Sequence, residues 1–247
     1  MKNLQKSEAF TLAEVLITLG VIGVVAAMTI PSLLTNMRNR DLQVQLNKIY
    51  SELNEVSKLY MEEHEEPIPV AVALGKTGVG DILLKYLKGY TDVSSDYYGT
   101  KEEDSDGKTV KYQALKKDPG FVYQKCDVSG IKEDLLGRYF AWDDAPKLGE
   151  NGPILCVDLN GSRKPNTVGL DYFLFIFTMD GTVIPMGEHH SNNTTLENNL
   201  SQNSVYYGAN DCIWRNGYTC SYYAIKDKNP KGSGTYWKDY IGKKLYK

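Results

Sequence analysis

One stretch constrains this chain more than any other. Phe10–Ile30, FTLAEVLITLGVIGVVAAMTI, is a run of 21 residues with a single formal charge, Glu14. As a helix rising about 1.5 Å per residue it is roughly 30 Å long, the thickness of a bilayer core. A short polar leader, MKNLQKSEA, precedes it, and a long tract of ordinary globular composition follows. The pattern predicts a head carried on an N-terminal membrane helix. Lys2 and Lys6 ahead of the run predict a cytoplasmic N-terminus and an exported head, while Arg38 and Arg40 on the far side pull the other way. A cleavable secretory signal is the competing reading, with Ala26-Ala27-Met28 as a small-residue cleavage site. The run exceeds an ordinary h-region, and a helical pattern continues past it without a break. A carboxylate at mid-bilayer costs roughly 2.5–3.5 kcal/mol and less near the edge, so Glu14 needs a partner or a route to water.

The leader ends Glu8-Ala9, and the run opens Phe10-Thr11-Leu12-Ala13-Glu14. Gly20, Gly23 and Pro31 follow along the same helix. This combination resembles the type IV prepilin signal of type IV pilins and type II secretion pseudopilins: a short basic leader, a small residue, a hydrophobic residue, and a glutamate at the fifth mature position. Ala9 stands where family leaders usually end in Gly, and Ala13 where Ile or Val is common. The resemblance covers about Glu8 to Tyr60. It implies cleavage between Ala9 and Phe10 by a prepilin peptidase and N-methylation of Phe10. It also implies a role for Glu14 in assembly, meeting the Phe10 amine of a neighbouring subunit. The partners it implies are other pilin subunits, an inner-membrane assembly platform and the membrane itself. The implied location is a single-pass inner-membrane protein that passes into an extracellular or periplasmic filament.

Gly20 and Gly23 each lower helix propensity by about 1 kcal/mol. Pro31 removes a backbone donor. The three mark a segment able to loosen, or one whose small residues let helices approach closely. After Pro31 the apolar pattern turns periodic: Leu42, Leu46, Ile49, Leu53, Val56 and Leu59 or Tyr60 form one helical face. That stripe predicts packing on the chain's own head. Glu65-Glu66-Pro67-Ile68-Pro69 ends the helix near His64. The chain therefore divides into a leader 1–9, a helix 10–66 with residues 10–34 in the membrane, and a head 67–247.

In the head, Asp81–Lys88 reads as a short helix, Ser94–Lys111 as a polar loop, and Ile131–Phe140 as another short helix or loop. Strand signals fall at Phe121–Lys125, Pro153–Leu159 and Leu170–Thr178. Asp180-Gly181 then offers a tight turn into Thr182-Val183-Ile184. The fold class predicted is α+β, a long N-terminal helix on an antiparallel sheet with long loops.

The four cysteines, Cys126, Cys156, Cys212 and Cys220, all lie in the head, and an exported head makes two disulfides the expectation. Three pairings exist. The short loop between Cys212 and Cys220 favours joining them, with Cys126 to Cys156. The segment DLNGSRKPNTVGLD gathers Asp158, Asn160, Asn166 and Asp171 around turn glycines. Its first reading is a chain reversal held by Asx turns, and its second is a Ca2+ site, since hard cations take such oxygens. His189 and His190 point to opposite faces of an extended chain and make no zinc site. The tail from Lys226 carries seven lysines against Asp227 and Asp239 and reads as a solvated end.

The net charge of −3 argues against nucleic acid as the main partner of the whole surface. Neither a nucleophile–base–orienter set nor a phosphate or dinucleotide fingerprint appears. The function expected is non-enzymatic: a structural subunit of a type IV pilus or pilin-like filament. The alternatives are a type II secretion pseudopilin and a membrane-anchored extracellular ligand-binding module.

Overall fold

The computed structural model describes residues 11–87, 89, 91–93, 112–115, 126, 128–143, 145–161, 163–188 and 209–242. The expected loop at Ser94–Lys111, the strand at Phe121–Lys125 and the His189-His190 pair lie outside them. The chain forms two compact units, Met1–Arg38 and Asn39–Lys247. The division falls within the first helix, α1 (Leu12–His64). Its residues from Asn39 onward belong with the head.

In the first unit, α1 runs unbroken through Gly20, Gly23 and Pro31. Its large apolar side chains, from Leu12 to Met37, are exposed. Three threonines in this tract turn their hydroxyls back into the helix: Thr18 onto Val15 O, Thr29 onto Val25 O and Thr35 onto Pro31 O, all within 3.0 Å. Such back-bonding satisfies a hydroxyl where no water is at hand.

The second unit is α+β, as the sequence predicts. Its helical stripe is Leu42, Leu46, Ile49, Leu53, Val56 and Tyr60, all buried, with Leu59 exposed. The helix stops at His64, where Glu65 takes a positive φ of 56° and Pro67 opens α2 (Ile68–Ala73). Next comes α3 (Val79–Tyr86), the short helix expected near Asp81. Eight strands follow: β1 (Thr91–Val93), β2 (Gln113–Ala114), β3 (Val128–Glu133), β4 (Tyr139–Trp142), β5 (Ile154–Asp158), β6 (Thr167–Val168), β7 (Tyr172–Phe177) and β8 (Val183–Pro185). They form one sheet in the order β1-β3-β4-β5-β7-β6-β2, with β8 also on β7. Its main pairings are antiparallel, and the two-residue β6 joins β7 and β2 in parallel.

Strand β7 explains the two layers. Alternate side chains point to opposite faces. Phe173, Phe175 and Phe177 join the α1 stripe, where Tyr50 stacks on Phe175 at 5.9 Å. Tyr172, Leu174 and Ile176 enter a second cluster with Tyr139, Cys156, Ile184 and Met186. Because both faces are covered, the strand reads as a continuous apolar run. The β7–β8 turn is the expected Asp180-Gly181 reversal. Gly181 has a φ of +80°, and a Cβ there would fall on Met61 Sδ. Asn54 Oδ1 accepts from Val183 N at 3.0 Å and ties this hairpin to α1.

Ile131–Phe140 is neither helix nor loop. It is the β3–β4 hairpin, closed by Asp134 N bonding Arg138 O and Gly137 N bonding Asp134 O. The tip carries Leu135 and Leu136 in the turn itself, where they are exposed, and that placement imitates a helical pattern. The C-terminal part adds α4 (Ala209–Trp214), α5 (Cys220–Ile225) and a π-helical turn, Tyr236–Ile241. Trp237 packs near Phe173 and donates its indole N–H to Ala224 O at 3.1 Å. The disulfides are Cys126–Cys156 and Cys212–Cys220, the favoured pairing.

Candidate functional site

Glu14 lies in the first turn of α1, and its neighbour Thr11 was not singled out by sequence. Thr11 N donates to Glu14 Oε2 at 2.8 Å, and the Thr11 hydroxyl donates to the same oxygen at 2.7 Å. Glu14 N donates back to Thr11 Oγ1 at 3.3 Å. This is a reciprocal capping box, which satisfies otherwise orphan N–H groups at a helix start. The T-x-x-E spacing was readable in the sequence, but the leader motif directed attention to the glutamate alone. Among the described residues Oε1 accepts no bond, so the carboxylate keeps a free acceptor after capping. Ala9 and Phe10 lie outside the described residues. The surface around Gly20 and Gly23 is open: a Cβ at either would meet nothing within 4 Å. One described helix, α1, is long and apolar enough to cross a membrane, with a mean hydropathy of 2.2 over its best window.

The Asp158–Asp171 loop brings together the four residues singled out there. Asp158 and Asp171 are fully buried. Asp158 Oδ2 accepts from the Tyr112 hydroxyl at 2.6 Å, and its Oδ1 accepts from Asn160 N at 3.0 Å. Asp171 accepts from Thr167 N, from Asn166 N at 2.8 Å and from Asn160 Nδ2 at 3.3 Å. Burial pushes the Asp171 carboxyl up to about 6, against the backbone N–H bonds that pull it down. Burial, then the charge of Asp171, pushes Asp158 well above its ordinary range. The carboxylate oxygens of Asp158 and Asp171 are thus engaged by N–H and O–H donors. Among the described residues, Asn160 Oδ1 and Asn166 Oδ1 are buried without a hydrogen-bond partner. No group of three or more His, Cys, Asp and Glu is placed to hold a metal among the described residues. The buried carboxylates organise the chain reversal that feeds β7.

A buried ion group fixes the β3–β4 hairpin. Arg138 Nε bonds Asp134 Oδ2 at 2.5 Å, and Arg138 Nη2 reaches Glu52 of α1 at 2.8 Å. Asp134 Oδ1 also accepts from Leu136 N and Arg138 N, both at 2.9 Å. Comparison with protein-family models, curated proteins and solved structures found no match.

Proposed function

We propose that this protein is a non-enzymatic subunit of a type IV pilus or pilin-like filament. In this reading a prepilin peptidase cuts between Ala9 and Phe10, and Phe10 is N-methylated. The subunit then waits in the inner membrane as a single span, N-terminus cytoplasmic, before joining a filament outside or in the periplasm. The observation that carries the reading is the first unit. It presents an unpartnered apolar helical surface from Leu12 to Met37, interrupted near its start by one carboxylate. Apolar surface of this extent in water has to be covered by lipid or by other helices. Back-bonded threonines suit either setting.

Glu14 has two tasks in this account. One oxygen caps its own helix through Thr11. The other is left to accept from the cationic amine of a second copy, which offsets the cost of a carboxylate in an apolar medium. Glu14→Ala separates assembly from anchoring. The variant still inserts in the membrane and keeps a folded head, but it is absent from sheared filaments. Filament incorporation at the wild-type level would sink the proposal.

A further inference from the structure

The solvent side of α1 within the head carries one pattern twice. Arg40 is followed one helical turn on by Val44, and Glu55 one helical turn on by Leu59. All four are exposed, Val44 to 61% and Leu59 to 41%, whereas the stripe from Leu42 to Tyr60 is buried. Singly, an exposed valine or leucine is ordinary. Here the two pairs share a geometry, an ion and then an aliphatic residue, and their ions are opposite in sign. Arg40 to Glu55 and Val44 to Leu59 are the same separation, 15 residues, which is about 22 Å of helix.

Arg40 and Glu55 form no ion pair among the described residues. The charges beside them are otherwise placed. Lys58 pairs with Glu62 at 4.0 Å and Lys48 with Glu52 at 3.7 Å. Asp41 lies about 100° round the helix from Arg40. Copies inserted in one membrane in the same sense have parallel helices. Side by side at one level, they would set Arg40 against Arg40 and Glu55 against Glu55, and like charges repel. Displaced by 15 residues along the axis, they set Arg40 of one copy against Glu55 of the next, and Val44 against Leu59. The same displacement brings Lys48 to Glu63, again of opposite sign, although Glu63 already holds Lys85 in its own chain.

We propose that this face of α1 docks a second copy of the chain, parallel and offset by about 22 Å along the helix, with Arg40 pairing to Glu55 and Val44 packing on Leu59. The contact is separate from the apolar tract Leu12–Met37 and from Glu14. Those hold copies together, and this face sets their offset. The inference rests on the reading of the chain as a self-assembling subunit.

The test is oxidative cross-linking of the full chain in its native membranes and in sheared filaments. The native cysteines are all held in disulfides, so introduced thiols report alone. Val44→Cys together with Leu59→Cys should give a ladder of linked chains, because within one copy the two lie too far apart to join. Val44→Cys by itself should give almost no linked chains. Arg40→Glu and Glu55→Arg, both at exposed positions, should each weaken the ladder several-fold without altering near-ultraviolet circular dichroism. The two reversals combined should restore it. A ladder in membranes without any filament would remove the filament reading and leave this contact standing. Absence of the ladder, with or without filaments, would overturn the proposal. So would equal linking by Val44→Cys alone, or charge reversals that have no effect or that the double swap fails to rescue.

Discussion

Acidification should stabilise the head through Asp171, and the sign of that effect separates a proton-holding pair from a cation site. Asp171 is fully buried, and its carboxyl is pushed up to about 6 against an ordinary value of 3.8. A carboxyl with a raised folded-state pKa binds its proton more readily folded than unfolded. Its stabilising contribution is complete below the unfolded value and is lost as pH rises through about 6. Two pH units at 1.36 kcal/mol each give about 3 kcal/mol between pH 7.5 and pH 4. Asp158 is shifted in the same direction by burial and by Asp171, so it adds to the sign. The assay is urea unfolding of the oxidised head at several pH values, once in chelator and once with added Ca2+, for wild type and Asp171→Asn. The difference between them removes the carboxylates elsewhere that titrate in the opposite sense, such as Glu63, lowered by its bond to Lys85. Wild type should gain about 3 kcal/mol on the variant as pH falls. A Ca2+ ion held by Asp158, Asn160, Asn166 and Asp171 would reverse this: calcium would stabilise at pH 7.5, and acid would destabilise. A flat or inverted difference curve refutes the reasoning.

Two further perturbations probe how the head is held together. Arg138→Met leaves Asp134 buried without its cation, so it should cost about 3–5 kcal/mol by denaturant unfolding. Pairing it with Asp134→Leu should recover part of that loss. Removing Cys126–Cys156, with a sequence separation of 30, should cost about 3.6 kcal/mol on the chain-entropy account, against about 2.5 kcal/mol for Cys212–Cys220, with a separation of 8. Thermal unfolding of the two double-serine variants gives the order directly.

The elements that sequence revealed are those whose pattern is local. The stripe from Leu42 to Tyr60 needs only its own spacing, and Pro67 and Pro69 mark where it stops. Strands β5 and β7 were visible as apolar runs because they are covered on both faces. The β3–β4 hairpin departs from the expected helix or loop because Leu135 and Leu136 sit in its turn, and because Arg138 reaches Glu52 across the fold. No local window contains that contact. The C-terminal elements went unread for a similar reason: Tyr236, Trp237 and Tyr240 are ordered by bonds to Gly169, Ala224 and Cys212, distant in sequence. At the N-terminus the capping box was written in Thr11 and Glu14. Glu14 was legible as an anomaly, but only the geometry shows that one of its oxygens is already engaged.

The central claim is that Phe10–Ile30 is an assembly element released by leader cleavage, and the mature N-terminus tests it most directly. Mass spectrometry of the protein recovered from its native membrane should find a chain that begins at Phe10 and carries one added methyl group on its amine. A chain beginning after Ala26 or Ala27 would make the stretch an ordinary secretory signal and contradict the account.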